Sequence, residues 1–455
     1  MNLHAQAPAP GVSVDAASTS IPWGFAEWFV ISQTVLPAVL ILPGTQAFRL
    51  PIRMSAFLLP LGAFAWWNLN AEVSTRPARA QSWVFTIMIL LGLMLFHPAT
   101  PSFVSGLAHV AVYFAVMTPL FWAPALVRTP EHLARLLWIL LICCGANAVV
   151  GVLQVYDPGR WMPAEFSRIT LANVMALGPL SYTGPSGQVI VRPPGLFDTP
   201  GAVAGPAAYA TLLGIVFAVS ASPSWKRLLS LVFAGAGLAA IYLSQVRISI
   251  VTSVVMLVVF ALVAARQGRA GRAVRFAILS AGLVVGAFML AMTLGGQSVH
   301  DRFMTLFAND PLSVYRTARG AQLDVTFGDL FVNHPLGSGL GRWGMVASYF
   351  GSFTPNLQSI WAEIQLTGWM IDGGVLMIVL YSAAIIVTAV SEYRVAVMTR
   401  FPRLAQCAAV VLAANLGTAA LIFSFTPFVT QVGIQYWFLA GALHGVAQQY
   451  GVDGA

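Results

Sequence analysis

The chain has 455 residues, of which 58% are hydrophobic and only 8% charged, whereas a soluble domain carries about 25% charged residues. With a mean hydropathy of +0.79, the chain is not a solvated globular enzyme. The composition predicts an integral membrane protein, and the length allows about a dozen spans of roughly 20 residues each.

The formal net charge is +8, and arginine supplies 22 of the 23 basic residues. Two explanations stay open: a GC-rich genome favours arginine, and planar, permanently charged guanidinium groups suit phosphate recognition. Nucleic acid is not indicated as a partner, because the arginines are scattered among the apolar segments. The cysteines lie in apolar runs and indicate neither a disulfide framework nor a metal site; they are Cys143, Cys144 and Cys407.

Taken in chain order, the apolar windows predict an all-α polytopic membrane protein with about twelve transmembrane helices. The windows lie at about 25–45, 54–70, 83–97, 107–127, 133–156, 201–221, 228–245, 248–265, 276–294, 362–390, 404–423 and 428–447. Residues 1–20 lack the basic flank of a cleaved signal peptide, so the first span is expected to be retained. The expected regions are an N-terminal tail over 1–22, membrane helices over 23–156, a loop over 157–200, membrane helices over 201–294, a large loop over 295–361 between the ninth and tenth spans, membrane helices over 362–447 and a tail over 448–455.

The distribution of basic residues predicts the orientation in the membrane. With the N-terminus inside, 13 of the 23 basic residues fall in short inner loops, and both tails are cytoplasmic. Seven of the remaining ten lie in the segments 157–200 and 295–361, and long loops are exempt from the charge rule. Arg49 and Arg53 are the weak point of this assignment, because they lie in a short outer loop.

The two long outer segments are where we expect chemistry, because loops longer than about 15 residues are usually functional or disordered. Aromatic residues interleaved with the charges argue against disorder here. An apolar stripe at helical spacing predicts an amphipathic helix over 313–332, with Arg316 and Arg319 on one face along the membrane surface. The alternative is a lid that only packs on the bundle. The stripe consists of Val314, Ala318, Ala321, Val325, Gly328 and Val332.

Three stretches stand out by their turn-forming or charged residues. The first is V-R-P-P-G-L-F-D-T-P-G over 191–201, at the start of the sixth span, and the second is S-Q-V-R-I-S over 244–249, between two spans. The third is N-H-P-L-G-S-G-L-G over 333–341, which precedes a span carrying D-G-G at 372–374. In this order and spacing they resemble the O-antigen ligase and Wzy-type polysaccharide polymerase superfamily of bacterial inner-membrane proteins.

The family pattern is R-P-x-G-x-F-x-x-P, then S-x-x-R at a helix junction, then H-P-L-x-G-x-G-x-G at the end of a large periplasmic loop. The resemblance covers about residues 185–392. It implies transfer of a glycan from undecaprenyl pyrophosphate to an acceptor hydroxyl on the periplasmic side, with no metal or other cofactor. The acceptor is another lipid-linked repeat unit in the polymerases and lipid A–core in the ligases.

Without a metal, a pyrophosphate leaving group depends on arginine donors for charge stabilisation. Arg247 at the helix junction and Arg192 in the Pro-Gly turn are the catalytic candidates, and Arg316, Arg319, His334 and Arg342 are the substrate-binding candidates. Other roles stay open: Arg192 could only snorkel, Arg247 could only anchor a helix end, and His334 could only shape its loop.

Family ligases carry a histidine before the E-x-G type motif that is proposed to activate the acceptor hydroxyl. Here the matching position is Glu363, or Gln358 in a looser register, and no histidine occurs between His334 and His444. Glu363 is therefore the candidate general base, since a partly desolvated carboxylate can have a usefully raised pKa. The alternative is a glutamate that caps a helix or pairs with an arginine.

The expected function is that of a repeat-unit polymerase for O-antigen or exopolysaccharide. Its expected partners are an undecaprenyl-pyrophosphate-linked glycan donor, a glycan or lipid acceptor, membrane lipids and a chain-length regulator protein. A ligase is the first alternative. The second is a flippase or secondary transporter, which is less favoured because transporters place charged residues at the midplane of their spans.

Overall fold

A computed structural model describes residues 22–70, 77–163, 165–166, 180–220, 223–307, 310, 313, 315–351 and 358–452. These residues form a bundle of helices with one short hairpin. The longer helices are α1 Phe25–Ala38, α2 Arg49–Asn70, α3 Arg79–Met94, α4 Phe103–Met117, α5 Pro119–Leu126, α6 Pro130–Tyr156, α7 Pro158–Trp161, α8 Ala204–Ser220, α9 Ser224–Ser244, α10 Arg247–Arg266, α11 Ala270–Gly295, α12 Gln297–Met304, α13 Gly344–Phe350, α14 Gln365–Ala396, α15 Pro402–Ala420 and α16 Gln431–Gln449. Short 3₁₀ turns occupy Val39–Ile41, Thr45–Phe48, Leu421–Phe423 and Pro427–Val429. Strands β1 Ser181–Thr183 and β2 Val189–Val191 pair antiparallel, with Ser181 opposite Val191.

Each of the twelve apolar windows contains a helix of the bundle, and the fourth window is divided between α4 and α5. Among the described residues, eight helical stretches are long and apolar enough to cross a membrane. They are Thr45–Asn70, Phe103–Leu126, Pro130–Tyr156, Ser224–Ser244, Arg247–Arg266, Ala270–Gly295, Gln365–Ala396 and Pro402–Phe423. The helices Phe25–Ile41, Arg79–Met94 and Ala204–Ser220 are apolar but shorter. The prediction of a helical chain is thus confirmed for the described residues, and eight of its helical stretches have the length and apolar composition of membrane spans.

Both long segments lie at one end of the bundle, which we call the outer end. Ser298 donates to the carbonyl of Thr183 at 2.7 Å, and Tyr349 accepts from Arg49 at 2.6 Å, so the two segments and the start of α2 meet there. At the opposite, inner end, Arg403 contacts Glu131 at 2.8 Å. The beginning and the end of the described chain, at Pro22 and Tyr450, are also at the inner end.

Helix α14 is broken in its outer half. Gly373 and Gly374 have non-helical backbone angles, with φ of +63° at Gly374. Backbone of the 333–341 loop fills the break: the Ser338 amide donates to Ile371 at 2.7 Å, and Val375 donates to Pro335 at 2.9 Å. A Cβ at position 374 would lie 2.0 Å from the Pro335 carbonyl oxygen, so only glycine fits there.

The described part of the outer amphipathic helix covers 316–333 and differs in register from the sequence prediction. Arg316–Gly320 and Val325–Leu330 form π-helical turns, whose i→i+5 bonds rotate the side chains away from α-helical spacing. Val332 of the predicted stripe is 67% exposed, whereas Thr326 and Leu330 are buried against the bundle. Val314 lies outside the described residues.

Candidate functional site

The turn after strand β2 is fixed to helix α6, and it carries Arg192. Gln154 of α6 accepts from the amide of Gly195 and donates to its carbonyl, both at 2.8 Å. Gly195 has a φ of +65°, and a Cβ there would lie 2.1 Å from the Asn147 side chain. The Arg192 backbone is held by bonds to Leu180 and Gly201. The 191–201 motif therefore folds into a rigid turn that holds Arg192 in place.

The junction of α9 and α10 brings a second arginine to the same region. Gln245 ends α9 with a φ of +55°, the only positive φ of a non-glycine residue among those described, and this sharp turn lets Arg247 begin α10. Arg247 donates to the Thr305 hydroxyl at 3.2 Å. Arg302 of α12 reaches back to the Gln245 carbonyl at 3.5 Å. Helix α12 thus lies over the junction and adds a third arginine.

Arg192, Arg247 and Arg302, which we call the arginine triad, are close enough to influence one another. Burial and the charge of Arg247 lower the pKa of Arg192. Burial, and then Arg247 and Arg192, lower the pKa of Arg302 to about 10. Each positive charge raises the free energy of charging the other two. Unless other contacts fix the three side chains, an anion is needed to hold them close together.

None of the three arginines of the triad forms an ion pair with an acid among the described residues. Asp198, the nearest acid along the chain to Arg192, is bound to Arg49 and Arg53 instead, and Asp301 is exposed and contacts His300. The stretches of the two outer segments that the structure does not describe contain no Asp or Glu. This chain therefore offers the triad few acids, and an anionic ligand would compensate it.

Unpaired donors surround the triad. Within the described residues, the Arg192 Nε, the Gln245 Nε2 and the Tyr182 hydroxyl are buried without a hydrogen-bond partner. Tyr182 lies on β1 and interacts electrostatically with Arg192. Buried donors are nearly always satisfied in folded proteins, so one unpaired donor within the triad and two beside it mark a place for an oxygen-rich ligand. Phosphate oxygens match this donor set.

Arg49 and Arg53, which looked misplaced by the charge rule, form a buried ion pair with Asp198. Arg49 Nε contacts the carboxylate at 2.5 Å, Arg53 contacts it from the next turn of α2, and Asp198 is fully buried. Burial raises the pKa of Asp198, but the two arginines outweigh it and hold the pKa below its ordinary value. The single carboxylate therefore compensates part of the charge of the two arginines inside the structure.

Glu363 and Arg319 form an ion pair with each other. Arg319 is on the 316–333 helix, and Glu363 immediately precedes α14, where its amide also donates to Gln322 at 3.3 Å. Burial lowers the pKa of Arg319. The pairing alternative considered for Glu363 is thus present in the structure, and the carboxylate side chain keeps 27% of its surface exposed. Arg316 is exposed on the same helix.

His334 and Arg342 lie at the two ends of the glycine-rich loop. His334 is exposed, and Arg342 donates to the backbone carbonyls of Gln358 at 2.8 Å and Ser338 at 3.0 Å. Burial, then His334 and Arg342, lower the pKa of His97 in the loop before α4, so the three are neighbours. The carbonyl contacts of Arg342 indicate that it holds the loop together.

Asp372 at the break in α14 is a buried acceptor that the motif pattern did not assign a partner. It receives bonds from Tyr113 at 2.7 Å, from Trp343 at 2.9 Å and from His109 at 3.1 Å. Tyr113 and His109 belong to α4, whereas Trp343 follows the glycine-rich loop. Asp372 therefore ties the outer segment to the bundle.

The structure thus divides the predicted site residues into separate groups. Arg192 and Arg247 meet, and Arg302 joins them; Arg319 and Glu363 pair elsewhere on the outer end. Arg302 is one of the seven arginines in the two outer segments, but the sequence does not single it out. It lies 55 positions from Arg247, and no local pattern marks it. No protein-family model matches the chain, and none of the curated proteins matches it.

Proposed function

We propose that this protein is a repeat-unit polymerase that transfers a glycan from undecaprenyl pyrophosphate to the hydroxyl of an acceptor sugar. The observation that supports it most directly is the arginine triad, with three unpaired donors around it. Such a site suits a doubly charged phosphate group better than a neutral sugar. Two of the three motifs that resemble the ligase and polymerase superfamily supply Arg192 and Arg247 of the triad.

The proposed reaction is a direct displacement at the anomeric carbon of the donor. The acceptor oxygen forms a bond to that carbon while the bond from carbon to the phosphate oxygen breaks, and the electron pair leaves with the lipid pyrophosphate. Arg192, Arg247 and Arg302 stabilise the charge that grows on the leaving oxygen. Because they are already positioned by the Gly195 turn and by α12, little reorganisation accompanies the reaction.

Glu363 is the proposed acceptor of the hydroxyl proton. Its carboxylate is engaged by Arg319, so it becomes a free base only when that contact opens. An anionic donor that attracts Arg319 would open it. In this proposal, substrate binding and base release are coupled through a single arginine.

The proposed placement is in the inner membrane of a bacterium, with twelve spans and with the outer end in the periplasm. Both ends of the described chain lie at the inner end, which requires an even number of crossings. The basic loops contact one another at that end, where Arg403, Arg269 and Arg135 are found. A cytoplasmic inner end agrees with the positive-inside rule. The lipid donor would reach the triad from the outer leaflet, and a separate protein would regulate chain length.

The test replaces Arg247 by alanine in a strain whose own copy is deleted. Glycan chains should be lost while the protein still inserts in the membrane, and a single repeat unit should remain on the acceptor. Normal chain lengths would remove Arg247 from the mechanism. Unattached lipid-linked polymer in the deletion strain would instead identify a ligase, and flipping of the lipid-linked substrate by purified protein without elongation would identify a transporter.

A further inference from the structure

Glu392 is an acidic residue inside the bundle that the proposed transfer reaction does not use. It lies in the inner half of α14 and is 3% exposed. Among the residues that the structure describes, no basic side chain forms an ion pair with it. An ionised carboxylate among apolar helices is strongly unfavourable unless a positive charge compensates it, so such residues mark functional sites by default.

Asn415 of α15 donates to this carboxylate, but one oxygen of each of the two side chains receives no hydrogen bond among the described residues. Its amide nitrogen donates to Glu392 Oε1 at 2.5 Å and to the Tyr436 carbonyl at 3.4 Å. Glu392 Oε2 and Asn415 Oδ1 are both buried and have no hydrogen-bond partner in the described part of the chain. Small hard cations are bound by carboxylate and amide oxygens. The unpaired carboxylate oxygen and the unpaired amide oxygen are ligands of this kind.

A small, mostly apolar cavity adjoins Glu392. It has a volume of about 20 Å³, enough for one particle of the size of a water molecule, and Thr388, Ser391 and His444 line it beside Glu392. The other titratable groups around Glu392 are Tyr436 of α16 and Tyr209 of α8. These tyrosines and the lining from α3 and α5 carry no positive charge; among the described lining residues, His444, whose ring contacts Gln448 at 2.6 Å, is the group that a proton can charge.

We infer that Glu392 and Asn415 form a binding site for one monovalent cation, either a sodium ion or a proton, in the inner half of the bundle. A single carboxylate balances a single positive charge, whereas a divalent ion would leave an excess charge in apolar surroundings. The site joins α14 to α15, and it is separate from the triad, whose contacts are with α12 and the outer hairpin. It goes beyond the proposed function and does not depend on it.

The test uses the full-length protein purified in lipid nanodiscs. Dicyclohexylcarbodiimide modifies protonated carboxyl groups in apolar surroundings, and peptide mass spectrometry locates the adduct on Glu392. If sodium is the ligand, sodium chloride slows the labelling relative to choline chloride, and radioactive sodium binds to the protein. If the proton is the ligand, labelling increases as the pH falls, and sodium makes no difference. Either result supports the site and identifies the cation.

Two variants and a control test the location. Glu392→Gln removes the charge at nearly constant shape and should abolish both the adduct and sodium binding; if sodium is the ligand, Asn415→Leu should weaken its binding about tenfold by removing one oxygen. Glu131→Gln, at an exposed acid paired with Arg403, should change neither. An unmodified Glu392 in both salts at every pH, together with no sodium binding, would overturn the inference. So would equal binding by the wild type and Glu392→Gln. Because these readouts involve no glycan, failure of the polymerase proposal would not affect them.

Discussion

Replacement of Arg302 by glutamine tests the triad at the residue that only the folded structure identifies. The guanidinium is half-buried, reaches the Gln245 carbonyl and lies near Arg247 and Arg192. Loss of one preorganised donor to a developing oxyanion lowers a rate by about 10² to 10³. Because removal of Arg302 also relieves repulsion within the triad, we expect the lower value, about a hundredfold, or roughly 2.7 kcal/mol of transition-state stabilisation. Arg302→Lys keeps the charge but loses the planar fork, so it should retain an intermediate rate.

The assay is elongation of a lipid-pyrophosphate-linked glycan by the purified protein in liposomes, followed as a ladder on a gel. Arg160→Gln, at an exposed arginine stacked on Trp161 in the other outer segment, is the matched control. Elongation by Arg302→Gln at the wild-type rate would refute the role of the triad.

Two further substitutions test the rest of the outer end. Asp198→Asn leaves Arg49 and Arg53 without their buried partner and should lower the free energy of unfolding by roughly 3 kcal/mol, measured as a lower midpoint of thermal unfolding in nanodiscs. Since the folded pKa of Asp198 is lowered, the stabilisation by its carboxylate is present above the ordinary aspartate pKa and is lost as the pH falls through the folded value. The Asn variant should lose this acid dependence. Unchanged unfolding of the variant at neutral pH would contradict the stabilising role of the ion pair. Glu363→Gln should abolish elongation while the variant still binds the lipid donor, because Arg319 then has no competing carboxylate. Full activity of that variant would assign the proton to another group.

The helices could be predicted from the sequence because membrane spans are read from composition. Each apolar window overlaps a helix, and some of the differences lie at polar first turns. Helix α6, for example, begins at Pro130, before the predicted 133, because Thr129 caps a first turn that contains Glu131. A hydropathy average over a window of residues does not detect such a polar turn. The buried face of the outer helix could not be predicted from α-helical spacing, because the π turns at 316–320 and 325–330 change which side chains face the bundle.

The candidate site could be predicted only where a local motif marked it. Arg192 stands in a turn-rich stretch and Arg247 at a junction between two apolar segments, and the structure brings them together. Arg302 has no such marker, because only the packing of α12 over the α9–α10 junction gives it a partner. Similarly, the pairing of Arg53 with Asp198 joins positions 145 residues apart in the chain. Contacts of this kind depend on tertiary structure and cannot be read from one sequence.

The break in α14 has a consequence for the order in which this protein assembles. Between Ile371 and Val375 the helix lacks its own backbone bonds, and the loop backbone at Pro335 and Ser338 supplies the missing donor and acceptor. Because lipid offers neither, the outer half of α14 cannot be stable in a membrane before that loop has docked. The loop is synthesised first, so docking and insertion of α14 become a single late event. A chain that ends before Val375 should therefore leave the outer segment undocked, even though all of the triad has been made.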